Sequence, residues 1–208
     1  MKKPSYIGNA IMIGLFAIAI IISGYSNSDA GATRVSAVAK ATATLSVPEA
    51  EMLTYMREEE KLARDIYLMM YQKWSAVTFS NIADSEQKHT DTIKKMLDKY
   101  SLSDPAQDAI GVFTNADLQG KYDQLLASGL QSYIDGLYVG ATIEEIDMID
   151  IQHAIDVTTH IDVINTYQNL LEGSKDHLRA YVRSLAAQGV TYAPQFISRE
   201  FYDAIINL

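Results

Sequence analysis

The chain has 208 residues, of which 48% are hydrophobic and 21% charged, and its formal net charge is −9. This composition is ordinary for a globular protein. The acidic balance argues against nucleic acid as a partner, because an acidic surface releases no counterions from a phosphate backbone. The chain contains no cysteine, which excludes disulfides, zinc–thiolate sites and iron–sulfur clusters. Asp, Glu and His remain as metal ligands, and these favour iron, manganese or zinc.

The first 30 residues have the succession of basic, apolar and small polar regions that is typical of a secretory signal peptide. Lys2 and Lys3 precede an apolar run at 10–22, and small and polar residues follow at 23–32. This apolar run is short for a membrane span, although an uncleaved N-terminal anchor stays open as the alternative. We therefore expect an exported protein, either secreted, periplasmic or at the cell surface, which contacts a membrane only if this segment is retained.

The rest of the chain predicts an all-α domain at 47–208, preceded by a linker at 31–46 that is rich in small residues. Apolar residues recur every three to four positions, and no strand pattern is longer than a few residues. We expect a four-helix bundle with a short extra helix before the third bundle helix and a short C-terminal segment. The predicted helices cover residues 48–74, 79–100, 115–129, 130–157, 160–187 and 198–206.

Each long helix places a carboxylate or a histidine on its apolar face. On the first helix, Glu60 shares the apolar stripe and Glu59 borders it, whereas Asp65 falls among charged residues on the opposite face. We therefore predict that Glu60 points inward and that Asp65 faces solvent. The inward set from the four helices is Glu60, Glu86, His89, Glu144 and His177, with Asp147 one turn beyond Glu144.

This inward set has the chemistry of a carboxylate and histidine metal site. Glu86 and His89 are three residues apart, so one helix can offer an oxygen and a nitrogen to the same ion. A lone inward Glu is costly unless it is paired or metal-bound. We predict two metal ions, iron in first place and manganese in second, with glutamates as oxygen ligands and His89 and His177 as terminal nitrogen ligands.

Two motifs resemble the ferritin-like superfamily: Glu60-Lys-Leu-Ala63 with Tyr67 on the first helix, and Glu86-Gln-Lys-His89 on the second. The segments EEEKLARDIY, FSNIADSEQKH, GVFTN, VGATIEEIDMIDI and GSKDHLRAY resemble more closely an uncharacterised ferritin-like family of archaea and bacteria, which is labelled a domain of unknown function. The resemblance spans about residues 49–185. It implies a ferritin-like bundle and a dinuclear metal site, but no known reaction.

The chain departs from the superfamily at the fourth bundle helix. The superfamily repeats Glu-x-x-His there, and this chain reads Ser174-Lys-Asp-His177. One carboxylate is therefore missing, and Asp147 could supply it, with Glu59 or Glu145 as alternatives. If none of them does, the site holds one metal, or a pair of metals with a water at the vacant position.

Two classes of function remain open from the sequence. The first is an exported protein with a dinuclear iron or manganese centre that acts on dioxygen, peroxide or ferrous iron, which would make it an oxidoreductase. The second is a structural or binding bundle with a partial, non-catalytic metal site. A ferritin-type storage cage suits the leader and the added C-terminal segment poorly, and a homodimer stays open.

Overall fold

A computed structural model describes residues 44–207, so the predicted leader at 1–30 and most of the predicted linker lie outside the described residues. Within the described range every regular element is helical, which confirms the all-α prediction. The helices are α1 Val47–Trp74, α2 Val77–Lys99, α3 Ala116–Gly129, α4 Tyr133–Val157, α5 Ile161–Ala187 and α6 Arg199–Ile206. No helix in this part of the chain is both long enough and apolar enough to cross a bilayer.

Polar caps set several of the helix starts. Ser46 and Glu49 form a capping box at the start of α1, in which each side chain accepts a hydrogen bond from the backbone N–H of the other residue. Asn115 caps α3 and Ser132 caps α4, with side-chain oxygens that accept from backbone N–H groups of the first turn. The Ser132 cap explains why α4 begins at Tyr133, three residues after the predicted start.

The four long helices form a bundle in which each one packs against two others. α1 packs on α2 and α4, and α5 packs on the same two helices from the opposite side. The short helix α3 lies against α1 and α4, and α6 contacts α5. Apolar residues fill the bundle where the start of α1 meets the end of α2; they include Met52, Leu53, Met56, Ile93, Leu97, Ile151, Val163 and Tyr167.

The charged face of α1 is buried, so the prediction that Asp65 faces solvent is wrong. Asp65 is fully buried, and its Oδ2 accepts from Lys61 Nζ at 2.5 Å and from the backbone N–H of Gly111 at 2.9 Å. Lys61 also donates to the carbonyl of Ala109. The segment between α2 and α3 therefore covers this face, and it supplies the polar partners that make burial of the charges tolerable.

Candidate metal centre

Residues from all four long helices meet in the middle of the bundle. Two sets of ligand atoms each lie within 4.8 Å of one another: one from Glu60, Glu86 and His89, and the other from Glu86, Glu144 and His177. The three glutamates are almost completely buried, and His177 is 6% exposed. The helical stripes bring these five residues together because each of them lies on the inner face of its helix.

Glu86 belongs to both sets and uses a different oxygen in each. Its Oε2 lies 2.8 Å from His89 Nδ1, and its Oε1 lies 2.7 Å from His177 Nδ1. The two imidazole rings are 5.4 Å apart between centroids. The carboxylate of Glu86 is therefore placed as a bridge between two neighbouring positions.

Each of the two histidines also lies close to one further carboxylate. Glu60 Oε2 lies 3.2 Å from His89 Nδ1, and Glu144 Oε2 lies 3.3 Å from His177 Nδ1. Tyr67 donates its hydroxyl to the other Glu144 oxygen, Oε1, at 2.6 Å. The tyrosine thus fixes the orientation of Glu144 and leaves Oε2 directed at the cluster.

The oxygen and nitrogen atoms of the cluster are arranged to bind a cation rather than to form hydrogen bonds with one another. Four of them are buried and have no hydrogen-bond partner: Glu60 Oε1, Glu86 Oε2, Glu144 Oε2 and His177 Nδ1. His177 Nδ1 lies close to Glu86 Oε1 without the alignment that a hydrogen bond requires. Such unsatisfied buried atoms are uncommon in folded proteins, and a bound cation would satisfy them together.

The electrostatics of the cluster also favour added positive charge. Burial of the carboxyl, only partly offset by His89, raises the pKa of Glu60 to about 7. Burial alone would lower the pKa of His89, but the carboxylates of Glu60 and Glu86 outweigh it and raise the pKa to about 12. In the same way Glu144 and Glu86 raise the pKa of His177 to about 11. Without metal, the cluster is therefore held together by two imidazolium cations.

Asp147 lies beside the cluster and outside both sets of ligand atoms. Its Oδ2 accepts from the hydroxyl of Ser174 at 2.6 Å, and its Oδ1 is buried without a partner. Burial and the neighbouring charges of Glu60 and Glu86 raise the pKa of Asp147 well above its ordinary value. Asp147 thus shares the environment of the cluster, and Ser174 holds one of its oxygens.

Glu145 is not placed to supply the missing carboxylate. It accepts from the hydroxyl of Tyr192 at 2.7 Å and from the backbone N–H groups of Gln195, Phe196 and Ile197 at 2.6–3.0 Å. Its oxygens are therefore occupied in fastening the C-terminal segment to α4. The other alternative, Glu59, is buried, and its Oε2 has no hydrogen-bond partner.

Gly173 is a part of the site that the stripe pattern does not reveal. A Cβ atom at this position would lie 2.6 Å from Cε1 and Nε2 of the His89 ring. The imidazole thus packs directly against the backbone of α5, which only a glycine permits. A glycine inside a long helix is unfavourable by itself, and that was the one signal in the sequence that could have drawn attention to this close approach.

The fold and this cluster define an all-α bundle protein with buried carboxylate and histidine groups that could hold metal. Residues 49–208 match the family described as "Uncharacterized protein domain (DUF2202)", and the chain belongs to this family. It is 48% identical over 164 residues to "Uncharacterized protein MJ0754" of Methanocaldococcus jannaschii, a match that covers 78% of this chain and 89% of the relative.

A solved structure shares the fold. The crystal structure of hypothetical protein MJ0754 from Methanococcus jannaschii superposes with a TM-score of 0.78 at 47% sequence identity. The superposition covers 79% of this chain and 94% of that one.

Proposed function

We propose that this protein is a ferritin-like metalloprotein that binds two iron or manganese ions in the cluster and uses them on dioxygen, peroxide or ferrous iron. The observation that carries the proposal is the position of Glu86, whose two carboxylate oxygens face two different imidazoles. A bridging carboxylate between two sites, each with its own histidine, is the arrangement that dinuclear carboxylate centres in helical bundles use.

The ligand assignment follows from the two sets of atoms. Glu60 and His89 would hold one ion, Glu144 and His177 the other, and Glu86 would bridge them. Three carboxylates leave one positive charge uncompensated when two divalent ions and two neutral imidazoles are present. Asp147 lies next to the cluster with a pKa raised well above its ordinary value, so it would supply the fourth negative charge by releasing its proton as the metals bind.

The bound metals would supply redox chemistry toward a small oxidant or toward ferrous iron. The chain's own residues hold the ligands in place and exclude water. Tyr67 orients Glu144, and the hydroxyls of Tyr167 and Tyr181 are buried without a partner. Burial, with the charges of Glu144 and Glu86, raises the pKa of Tyr181 well above its ordinary value, so this hydroxyl stays protonated. The deep burial of all these groups favours a small substrate.

A second candidate function is a structural bundle with a partial, non-catalytic site. Ser174 favours it, since this hydroxyl stands where the superfamily has a carboxylate and binds Asp147 instead. The two candidates differ in whether the bound metal catalyses a reaction. Measurements of metal content and of oxygen consumption distinguish them.

The test is the metal content of the full chain after anaerobic incubation with Fe(II) or Mn(II) and removal of excess metal. We expect about two ions per chain, and about one or none in Glu86→Gln and His89→Ala. Glu51→Gln and His153→Ala are matched controls, because both residues are exposed on helices of the same bundle. Oxygen consumption by the Fe(II)-loaded chain then measures turnover.

A wild-type chain that retains no metal under these conditions would rule out the metal centre. If the chain binds two ions but reacts with neither dioxygen nor peroxide and does not oxidise ferrous iron, the result would favour a structural role for the bundle. Metal loss in the two control variants as well as in the ligand variants would mean that the bound metal lies elsewhere.

Export by the N-terminal segment is part of the same proposal and has a separate test. We expect the mature chain to begin near residue 30 and to be found outside the cytoplasm. The N-terminal residue of the native protein decides this. An intact Met1 in a membrane fraction would indicate an anchor, and an intact Met1 in the cytoplasm would contradict export.

A further inference from the structure

The C-terminal segment, residues 190–207, is fastened to α4 by a buried carboxylate. Glu145 is fully buried. It accepts from the Tyr192 hydroxyl at 2.7 Å and from three consecutive backbone N–H groups, at 195–197, at 2.6–3.0 Å. Successive backbone N–H groups that converge on one anion form strong, charge-assisted hydrogen bonds. This carboxylate is therefore a firm polar attachment of the segment to α4.

Aromatic packing supports the same attachment. The ring of Tyr192 lies 5.4 Å from the ring of Tyr138 on α4 and 6.0 Å from the ring of Tyr202 on α6, measured between centroids. Tyr192 and Tyr202 are both buried. The tyrosine that donates to Glu145 thus also joins α4 to α6.

The C-terminal segment is attached to α5 as well. Arg179 donates from Nη1 to the carbonyl of Ile205 at 3.1 Å, and Lys175 Nζ lies 5.8 Å from the centroid of the Phe201 ring. Among the described helices, α6 contacts α5 alone. The segment therefore spans from α4 to α5.

These attachments lie at the level of two ligands of the candidate metal centre. Glu145 follows Glu144 directly, and Lys175 and Arg179 lie two residues before and two residues after His177. One residue turns an α-helix by about 100°, so Glu144 faces the cluster while Glu145 faces the C-terminal segment. Two residues turn it by about 200°, so His177 faces inward while its two neighbours contact that segment from the other side of α5.

The other ion position is built from different helices. Glu60 lies on α1 and His89 on α2, whereas the contacts of the C-terminal segment described above are with α4 and α5. The ligands of a site must be held to within about 0.5 Å of the productive geometry. Loosening of the segment would therefore disturb the position formed by Glu144 and His177 and spare the other one.

We propose that the C-terminal segment is a clamp across α4 and α5 that positions Glu144 and His177, and that Glu145 is the positioning residue through which it acts. The inference rests on the proposed metal centre, because the clamp sets the affinity of one of its two ion positions. Coupling between two sites is reciprocal. A clamp that strengthens ion binding is therefore itself tightened when the ion binds.

The first experiment is calorimetric titration of the metal-free full chain with Mn(II). In Glu145→Gln one of the two dissociation constants is expected to rise by about tenfold or more, the usual scale for loss of a group that holds a metal ligand in place. The other constant should keep its wild-type value. Asp156→Asn is the matched control, because it replaces a carboxylate by an amide on the exposed face of α4, and both constants are expected to stay unchanged.

Tyr192→Phe keeps the test decisive if Glu145→Gln folds poorly. This variant removes the hydroxyl that donates to Glu145 and keeps the ring that packs on Tyr138 and Tyr202. The same dissociation constant is expected to rise by a smaller factor, because the backbone donors remain. Tyr71→Phe, at an exposed position of α1, is its control and is expected to bind Mn(II) as wild type does.

The second experiment is hydrogen exchange of the full chain with and without bound Mn(II), followed by mass spectrometry. The amides at 195–197 are expected to exchange about tenfold more slowly in the loaded chain, because the coupling acts equally in both directions. The amides of Asp117 and Leu118, which are held by the Asn115 cap of α3, are the control and should exchange at an unchanged rate. A segment with a purely structural role would show no dependence on the ion.

The outcomes separate the clamp from the metal centre. Equal rises in both dissociation constants, or no rise in either variant, would overturn the clamp and leave the centre intact. Exchange rates at 195–197 that are the same with and without Mn(II) would also overturn the clamp alone. A wild-type chain that binds no Mn(II) would overturn the proposed function and the clamp together.

Discussion

Ser174 donates its hydroxyl to Asp147 Oδ2 at 2.6 Å, across the interface between α5 and α4. Both residues are buried, and the second Asp147 oxygen has no partner. The position that would carry a carboxylate in a repeated Glu-x-x-His motif therefore holds a hydroxyl, which orients a carboxylate from the neighbouring helix.

Ser174→Ala tests this relationship in the metal-free chain. Removing the donor leaves Asp147 Oδ2 buried and unpaired, so the free energy of unfolding is expected to fall by about 1–3 kcal/mol. Urea unfolding followed by circular dichroism measures the loss. Thr166→Val is the matched control, because the Thr166 hydroxyl donates to the carbonyl of Asp162 in its own helix. An equal cost in both variants would mean that Ser174 contributes no more than an ordinary helical hydroxyl.

Gly173→Ala tests the packing of His89 against α5. The new Cβ would approach the ring to 2.6 Å, so the imidazole must move away from Glu60 and Glu86. Metal affinity is expected to fall by about tenfold or more, although alanine is the better helix former by up to about 1 kcal/mol. Calorimetric titration with Mn(II) measures the affinity.

Gly120→Ala is the control for that substitution. A Cβ at this position in α3 meets nothing within 4 Å, so the variant is expected to gain about 0.4–1 kcal/mol in unfolding free energy and to bind metal as wild type does. Unchanged metal affinity in Gly173→Ala would show that the ring position tolerates displacement and that His89 is not tightly placed.

Metal binding is expected to release protons at neutral pH. The pKa values of about 12 for His89 and about 11 for His177 keep both imidazoles protonated in the metal-free chain. An imidazole must lose its proton at Nδ1 to bind a metal there, so affinity falls as the pH is lowered. At least two protons per chain are expected at pH 7, because Glu60, with a pKa of about 7, adds to the two imidazoles. Calorimetry in buffers with different ionisation enthalpies measures the number. A binding heat that is independent of the buffer would contradict protonated histidines.

The same two pKa shifts give the metal-free chain a pH-dependent stability. Both histidine pKa values are raised above the ordinary value of 6.5. Their stabilising contribution is therefore complete below about pH 6.5 and is lost as the pH rises toward 11–12. Urea midpoints of the metal-free chain are expected to fall from pH 7 to pH 10, and this fall should be smaller in the double variant His89→Ala/His177→Ala. A flat profile in the wild type would contradict the shifts.

Helix positions and the inward residues could be predicted because both follow from local periodicity. α1 ends at Trp74 and α3 ends at Gly129, where the pattern predicted both ends. Each helix buries the carboxylate or histidine that shares its apolar stripe. Packing of the apolar stripes brings these side chains together, so the periodicity of the helices is enough to predict the cluster.

The surroundings of the bundle could not be predicted in this way. Asp65 is buried because Gly111, 46 residues away, donates to it, and Glu145 is occupied by backbone donors about 50 residues away at 195–197. A charged helix face is predicted to contact solvent unless the sequence shows that another segment covers it. An irregular covering segment has no periodicity that would show this. Both departures come from irregular segments that lie over helix faces.

Asp65→Ala tests whether the covered face of α1 depends on its buried charge pair. The substitution leaves the Lys61 ammonium, which is 2% exposed, without its carboxylate, and breaking a buried pair costs about 3–5 kcal/mol. Asp84→Ala, on the exposed face of α2, is expected to change stability by less than about 0.5 kcal/mol. Metal content should stay at the wild-type value in both variants, because Asp65 lies on the far side of α1 from the cluster. If Lys61→Met/Asp65→Leu is as unstable as Asp65→Ala, the unpaired lysine is not the cause of the loss, and the hydrogen bonds that Asp65 accepts from Gly111 and Arg64 are the larger contribution.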